Sequence, residues 1–238
     1  FTAVRMQVFN AAGAKVGTEI LVNSDTDFEQ ENPVITVLKD GRFVVAWQDN
    51  SQTGSDTDAF AIRSQIYDAR LAAIDVDGTA QADSYEGTEF ADTIDGLAGN
   101  DVVHAGSGGD FIFGGVGLDF LFGEAGDDEL DGGDGNDALL GSKGNDLLAG
   151  GKGADLLDGG ADFDTASYAA AAAAVVVDLT DRSKNTGDAA GDNFSGVEAF
   201  ILTRFADTIK GAGESEVITA GAGNDGISGG GGNDTLDG

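Results

Sequence analysis

Nine aspartates recur at intervals of nine residues through the middle of the chain, with no insertion between them. Carboxylates stacked at so regular a spacing repel one another unless a cation lies between them. An all-oxygen site made of carboxylates and turn carbonyls suits Ca²⁺, a hard ion that takes about six to eight oxygens in loose geometry. The sequence therefore predicts an array of calcium sites whose ligands are Asp92, Asp101, Asp110, Asp119, Asp128, Asp137, Asp146, Asp155 and Asp164.

Each of these aspartates lies at position 6 of a nonapeptide that reads G-G-x-G-x-D-x-U-x, in which U is apolar; residues 114–122 and 132–140 are the clearest copies. Glycine at positions 1, 2 and 4 permits a positive φ and a tight turn. The x-U-x segment after the aspartate is long enough for a short strand with U facing inward. Two nonads then form one coil, so that every second aspartate stacks on the same side at the strand spacing of about 4.8 Å.

The nonads resemble the RTX (repeats-in-toxin) family, the haemolysin-type calcium-binding repeats. The resemblance implies an all-β fold, a parallel β-roll or right-handed β-helix of nonapeptides, that holds several Ca²⁺ ions. It also implies that main-chain carbonyls at positions 2 and 4 complete each calcium site, here those of Gly99, Gly106, Gly108, Gly115, Gly117, Gly126, Gly133, Gly135, Gly144, Gly151, Gly153, Gly223, Gly230 and Gly232. Phe90 and Asp162 replace the position 4 glycine at the two ends. We therefore expect the first and last nonads to cap the array and to bind weakly or not at all.

A second, shorter block begins at residue 202 in a different phase, with Asp207, Glu216, Asp225 and Asp234 at position 6. Residues 169–174 have helical propensity. Residues 175–179 begin with β-branched valines, after which polar and apolar residues alternate, and this pattern predicts a strand. We expect a loop at residues 188–192 and a strand at residues 197–202. The spacer between the blocks then continues the coil with longer loops.

The first part of the chain differs in composition, with alternating apolar residues and an internal similarity between residues 4–11 and 62–69. We predict strands at residues 19–22, 34–38 and 43–47, the last two joined by a turn at residues 39–42. The segments Gln-x-x-Pro at 30–33 and Asp-Gly-x-Phe-Val-Val-x-Trp at 40–47 resemble blade-like β repeats of large secreted bacterial proteins. The predicted organisation is an antiparallel unit at 1–78, a first block at 79–167, spacer strands at 168–201 and a truncated second block at 202–238.

Composition narrows the function further. The net charge of −31 excludes nucleic-acid binding and is unsuited to anionic membrane surfaces. The chain has no cysteine, no segment of transmembrane length and no visible signal peptide, and both of its ends suggest a segment of a longer protein. Acidic, glycine-rich chains are often disordered. We expect disorder without calcium and order with it, because only the ions neutralise the ladder.

The residues favour no catalytic site. His104 is the only histidine and occupies an outward position of its nonad, where we expect a solvated strand residue. Without a second histidine or any cysteine, a zinc site or a Ser-His-Asp triad is hard to build. Carboxylate pairs suited to glycoside hydrolysis are plentiful, but nearly all are in calcium positions. Residues 75–78 resemble the start of an EF-hand loop, yet their glycine comes too early, and we predict a turn there.

One outward face of the first block is apolar, with an expected interface formed by Val102, Phe120, Phe122, Leu140 and Leu156. Contiguous apolar surface of this kind usually marks a contact. We expect the N-terminal unit, the spacer or another chain to cover it.

The sequence thus predicts a calcium-binding structural module of a secreted or cell-surface bacterial protein of the adhesin or surface-layer (S-layer) type. The resemblance implies type I secretion and folding on Ca²⁺ binding outside the cell. Two alternatives stay open: the non-catalytic part of a type I-secreted enzyme (protease, lipase or alginate epimerase), and a module that binds carbohydrate such as surface polysaccharide. Further upstream repeats would support the surface protein, and an H-E-x-x-H or G-x-S-x-G motif would support the enzyme.

Overall fold

A computed structural model describes residues 5–9, 15–21, 30–37, 43–49, 61–67 and 73–238. The chain divides into two compact units, Phe1–Leu71 and Ala72–Gly238. Strands and two short 3-10 helices, without any α-helix, make up the regular structure of these described residues. The predicted all-β fold class is therefore confirmed. Across the same residues, the search for a helix long and apolar enough to cross a membrane finds none.

The described residues of the first unit form antiparallel strands. Strand β1 (Arg5–Phe9) pairs with β2 (Lys15–Leu21), and β3 (Gln30–Val37), β4 (Phe43–Asp49) and β5 (Ala61–Tyr67) form a three-stranded sheet. Alternate side chains of β4, Val45 and Trp47, are buried, as the two-residue period of a strand requires. The predicted antiparallel unit is confirmed. The turn predicted at residues 39–42 lies outside the described residues, and the likeness to a propeller blade stays a prediction.

The second unit is a coil of parallel strands. Within the first block, strands that are two places apart along the chain pair with each other; Phe111 of one strand, for example, is in register with Glu129. The repeat of the coil is therefore two nonads, as predicted. Its strands are β6 (Asp75–Thr79), β7 (Ser84–Thr88), β8 (Thr93–Leu97), β9 (Val102–Gly106), β10 (Phe111–Gly117), β11 (Phe120–Ala125), β12 (Glu129–Gly135), β13 (Ala138–Lys143), β14 (Leu147–Ala149), β15 (Leu156–Ala161) and β16 (Thr165–Ser167).

The core of the coil is built from one inward residue per strand. The position 8 side chains are fully buried and stack on one another along each sheet, in the order Ile94, Ile112, Leu130 and Leu148 on one side and Val103, Leu121, Leu139 and Leu157 on the other. Each such side chain stabilises the coil by about 1.5–3 kcal/mol. Because the core is so narrow, the turns that carry the aspartates are close to it on both sides.

The spacer continues the coil with longer loops, as predicted. Its strands and those of the second block are β17 (Val176–Asp178), β18 (Asn193–Ser195), β19 (Ala199–Ile201), β20 (Thr208–Lys210), β21 (Val217–Thr219), β22 (Gly226–Ser228) and β23 (Thr235–Asp237). Strand β18 pairs with β15 and β19 with β16, while β17 begins a separate three-stranded sheet with β20 and β22. The predicted strands at residues 175–179 and 197–202 are therefore confirmed. The segment predicted as a loop at residues 188–192 overlaps a 3-10 turn, Gly187–Ala189.

The prediction of a turn at residues 75–78 is wrong. These residues lie in β6, which pairs in parallel with β8 and places Val76 beside Ile94. The reason is the register of the repeat: Val76, which lies between two aspartates, occupies the same inward-facing position as Ile94 on the next coil. Aspartate and glycine favour turns locally, but stacking on the coil decides the structure here.

Candidate calcium-binding ladder

The nine predicted aspartates are brought together in two rows, one on each side of the coil. In both rows the backbone N–H of one aspartate donates to Oδ1 of the aspartate one coil later, over 2.7–2.9 Å. Row A contains Asp92, Asp110, Asp128, Asp146 and Asp164, and row B contains Asp101, Asp119, Asp137 and Asp155. All nine side chains are buried. The ladder is thus held in place by one main-chain hydrogen bond per rung.

The second oxygen of most rungs, Oδ2, is buried without a hydrogen-bond partner. Within residues 73–238 this holds for Asp101, Asp110, Asp119, Asp128, Asp137, Asp146, Asp155 and Asp164. A buried polar atom left without a partner costs about 1–3 kcal/mol, and more when it is charged. A carboxylate oxygen has lone pairs only for donors or cations. The orphaned oxygens therefore fit a hard cation such as Ca²⁺.

The glycine positions are explained by the space around these oxygens. A Cβ atom added at Gly114, position 1, would lie 2.6 Å from Oδ2 of Asp119. A Cβ atom added at Gly117, position 4, would lie 1.4 Å from the carbonyl oxygen of Gly99 one coil earlier. A side chain at Gly114 or Gly117 would therefore collide with these oxygens. Glycine leaves the space that the carboxylate and the stacked carbonyl occupy.

Carboxylates alone do not complete a site. No group of three acidic, histidine or cysteine side chains converges on one point in the described part of the chain. An ion that takes about six to eight oxygens must therefore draw several from the main chain. The stacked position 2 and 4 carbonyls, such as those of Gly115 and Gly117, supply oxygens on the same side as the ladder. Their assignment as ligands stays a prediction.

Burial makes the ladder electrostatically costly. It raises the pKa of Asp128 and Asp137 to about 7 and the pKa of Asp146 and Asp155 to about 6. The main-chain N–H of each rung opposes this rise in pKa, and neighbouring carboxylates add to it. A cation that binds the charged carboxylates must therefore displace protons near neutral pH.

The second block continues the ladder with different residues. The N–H of Asp207 donates to Oδ1 of Asp225 at 2.9 Å, and that of Glu216 donates to Oδ1 of Asp234 at 3.2 Å. Oε2 of Glu216 is buried without a partner, like Oδ2 in the first block. Burial also raises the pKa of Glu216. All four predicted residues therefore occupy ladder positions.

Sequence reasoning missed three ladder carboxylates. The N–H of Asp83 donates to Asp101, that of Asp155 donates to Oδ1 of Asp192, and that of Asp164 donates to Oε2 of Glu198. The nonad of Asp83 lacks glycine at position 4, and the other two acids follow insertions that break the nine-residue period. One signal was available: each acid directly precedes a strand, as every other ladder residue does.

His104 lies on the outer surface, as predicted. Its ring stacks on Phe122 with centroids 4.4 Å apart, and Nδ1 lies 2.9 Å from Oε1 of Glu124. Both partners come from the next strand of the same sheet. The contacts account for the histidine without a metal or a substrate.

The predicted apolar interface is aligned across one sheet. Val102 and Phe120 lie at equivalent positions of neighbouring strands, and Leu156 lies at the same position beyond Ala138 of the intervening strand. Phe120 is 42 % and Leu156 37 % exposed. Val102, Phe122 and Leu140 are half-buried. What covers this face stays a prediction.

A comparison with protein families identifies the repeats that carry the ladder. The RTX calcium-binding nonapeptide repeat (4 copies) matches residues 77–112, 104–139, 131–166 and 203–238. These matches span nearly all of both blocks and more than half of the chain, and the first of them includes Asp83. A comparison with curated proteins found no match. With two nonads per coil and a carboxylate on every rung of both blocks, the chain belongs to the family of RTX calcium-binding nonapeptide repeat proteins.

Proposed function

We propose that this chain is a structural module that binds several Ca²⁺ ions and folds as it binds them, within a secreted or cell-surface bacterial protein of the adhesin or surface-layer type. The observation that carries the proposal is the run of buried, unpaired Oδ2 atoms in both rows. No group in the described part of the chain donates a hydrogen bond to these oxygens, and their spacing repeats with the coil. A divalent cation supplies the charge and the coordination that they lack.

Calcium binding and folding are coupled for a physical reason. The core is one apolar residue deep per strand, while each rung buries a carboxylate that repels its neighbours. A ligand that binds the folded chain alone contributes its binding free energy to folding. Residues such as Asp101, Asp119, Gly115 and Gly117 would hold the ions.

The proposed location follows from the affinity expected of such sites. Extracellular calcium modules bind at about 10⁻⁴ to 10⁻³ M, so the sites would be empty in the cytosol and filled outside the cell. RTX repeats occur in secreted bacterial proteins. An unfolded, acidic chain would suit passage through a type I secretion channel, after which calcium would complete the fold.

We also propose that the module is not catalytic. The buried acids of the described coil serve mostly as ladder rungs, and the lone histidine is engaged by Phe122 and Glu124. Enzyme function elsewhere in a longer protein would be compatible with the same module.

Calcium titration of the full chain tests the proposal. Starting from chelator, we expect circular dichroism to show a large gain of β structure at millimolar Ca²⁺. Mg²⁺ at the same concentration should not replace it, because Mg²⁺ demands octahedral geometry and loses its water reluctantly. Equal β content in chelator and in calcium would refute the coupling.

A matched pair of variants tests whether calcium binds at the ladder. Asp137→Asn removes a rung, whereas Asp134→Asn in the same nonad removes only an exposed ion pair with Lys152, which contributes about 0–1 kcal/mol. We expect the first to raise the calcium midpoint and the second to leave it nearly unchanged. Equal midpoints for both variants would contradict the assignment of the ladder.

A further inference from the structure

Some ladder carboxylates have no orphaned oxygen, because a threonine occupies it. At Asp92, the N–H of Thr88 donates to Oδ2 at 2.5 Å and its hydroxyl donates to Oδ1 at 2.9 Å. At Asp83, the N–H and hydroxyl of Thr79 both donate to Oδ2 at 2.8 Å. At Asp207, the N–H and hydroxyl of Thr203 do the same at 2.8 Å. Each threonine stands at position 2 of the nonad.

Position 2 has a different backbone in the aspartate rungs with orphaned oxygens. Its φ is 64° at Leu97, 98° at Gly115 and 82° at Ser142. In those nonads the N–H of position 2 makes no hydrogen bond to the buried Oδ2 of the same rung. The three threonines do not have positive φ. Among the aspartate rungs, the residue at position 2 therefore separates those closed by a threonine from those with an orphaned Oδ2. At Glu216 the N–H of Ala212 donates to Oε1 at 3.1 Å, and Oε2 stays orphaned.

The closed rungs lie where rows begin. One coil before Asp92 the ladder position is held by Ile74, whose N–H donates to Oδ1 of Asp92 at 2.7 Å. One coil before Asp207 it is held by Val175, whose N–H donates to Oδ1 of Asp207 at 2.8 Å. An apolar side chain offers no oxygen to an ion shared between coils. Asp83 is the first carboxylate of row B among the described residues.

The last carboxylate of row B also accepts a hydrogen bond from a side chain. The hydroxyl of Tyr168, which is buried, donates to Oδ2 of Asp192 at 2.6 Å. Asp192 precedes β18, the last strand of its six-stranded sheet. Tyr168 of the spacer thus satisfies Oδ2 of Asp192, whereas Oδ2 of Asp155 has no hydrogen-bond partner.

We propose that Thr79, Thr88, Thr203 and Tyr168 take the place of Ca²⁺ at the ends of the rows. A proton donor and a cation compete for the same lone pairs, so a carboxylate oxygen that accepts hydrogen bonds here has no remaining need of an ion. The inference rests on the proposed calcium binding and limits it. In residues 73–238, the buried oxygens that remain for ions are those of Asp101, Asp110, Asp119, Asp128, Asp137, Asp146, Asp155, Asp164 and Glu216.

Two neighbouring rungs of row A provide the test. Oδ1 of Asp92 and Oδ1 of Asp110 each accept a main-chain N–H at 2.7 Å, and the two residues differ at Oδ2. Native mass spectrometry of the full chain, saturated with Ca²⁺, counts the ions on folded molecules, which their charge states separate from unfolded ones. We expect Asp110→Asn to lose at least one ion and Asp92→Asn to keep the wild-type count. Loss of the same number of ions from both variants would overturn the inference.

A second variant covers the case in which Asp92→Asn does not fold. Thr88→Val keeps the shape and the N–H of the cap but removes its hydroxyl. We expect the ion count to stay the same and Tm to fall relative to Thr93→Val on the exposed face of β8. Loss of an ion from Thr88→Val would show that the hydroxyl is a calcium ligand and would also overturn the inference. A wild-type chain that bound no calcium would instead refute the proposed function.

Discussion

The two blocks build the same ladder with unequal regularity. In the first block every rung is an aspartate and every inward side chain from Ile94 to Leu157 is fully buried. In the second block Glu216 replaces an aspartate, and burial of the inward residue falls from Ile218 to Leu236, which is 48 % exposed in the last strand of its sheet. In stacked repeats each unit is stabilised by its neighbours. The first block should therefore be the more stable and the more calcium-dependent.

The spacer shows that the position of a ladder carboxylate is determined by the neighbouring coil on which it stacks. Asp192 and Glu198 meet the N–H groups of Asp155 and Asp164 although insertions break the nine-residue period. The loops lengthen while the strands return to register. The ladder thus depends on parallel stacking more than on a constant repeat length.

Calcium removal should have the largest effect and should separate the blocks. We expect amide protons of β11 and β13 to be strongly protected from exchange in Ca²⁺ and to lose that protection in chelator, because the ions stabilise the stacked coils. Amides of β22 and β23 should exchange faster already in Ca²⁺. Hydrogen exchange followed by mass spectrometry measures both. Equal protection of the two blocks in Ca²⁺ would break the comparison.

Acid should weaken calcium binding mainly through the first block. The folded-state pKa of Asp128 and Asp137 is raised to about 7, above the ordinary value of 3.8, so the protonated form favours the calcium-free fold. That stabilisation is full below about pH 4 and is lost as pH rises through about 7. Calcium must displace these protons, so we expect its apparent affinity to fall about tenfold or more between pH 8 and pH 5. Calorimetric titration at several pH values measures this, and a constant affinity would contradict it.

A core truncation should cost far more in the first block than at the end of the second. Leu139→Ala removes a fully buried side chain and should destabilise the calcium-loaded chain by about 2–5 kcal/mol. Leu236→Ala, the same change at a half-exposed site, should stay within about 0.5 kcal/mol. Thermal unfolding in Ca²⁺ compares them. Equal shifts in Tm would mean that the last coil is as tightly packed as the first block.

Glycine substitutions should show the same contrast on a smaller scale. Gly117→Ala would push a methyl group against the carbonyl of Gly99 at φ 154°, and we expect a loss of about 1–3 kcal/mol. Gly213→Ala in the second block meets nothing within 4 Å and should be nearly neutral. The calcium midpoint and Tm report the difference. A neutral Gly117→Ala would show that the close stack of carbonyls can relax.

Replacing apolar surface residues should have the smallest effect on calcium. Phe120→Ser with Phe122→Ser leaves the aspartate turns unchanged, so we expect a nearly constant ion count. If this face is an interface, the variant should become more sensitive to protease or change its size in solution, whereas Phe111→Ser with Phe113→Ser on the other sheet should not. Identical behaviour of both variants would argue that the face is apolar without being a contact.

Much of the coil and most of the ladder could be predicted from the sequence, because both follow from a strict local period. Glycine at three positions, one aspartate and one inward residue were enough to predict two nonads per coil, parallel strands and stacked carboxylates, as the register of Phe111 with Glu129 confirms. The period failed where residues depart from it. Residues 75–78 look like a turn, and the nonad of Asp83 lacks a glycine, yet both stack on the next coil.

By itself the sequence determined the repeat, the inward residues and the chemical type of the ligand, since these depend on spacing within a single nonad. Only the tertiary structure decided which carboxylates meet after an insertion and which oxygens are left without a partner. Tyr168 reaches Asp192 from 24 residues away, and Thr88, whose backbone φ is not positive, closes the rung of Asp92. Such contacts depend on where the coil places each turn, and loop length alone does not encode that position.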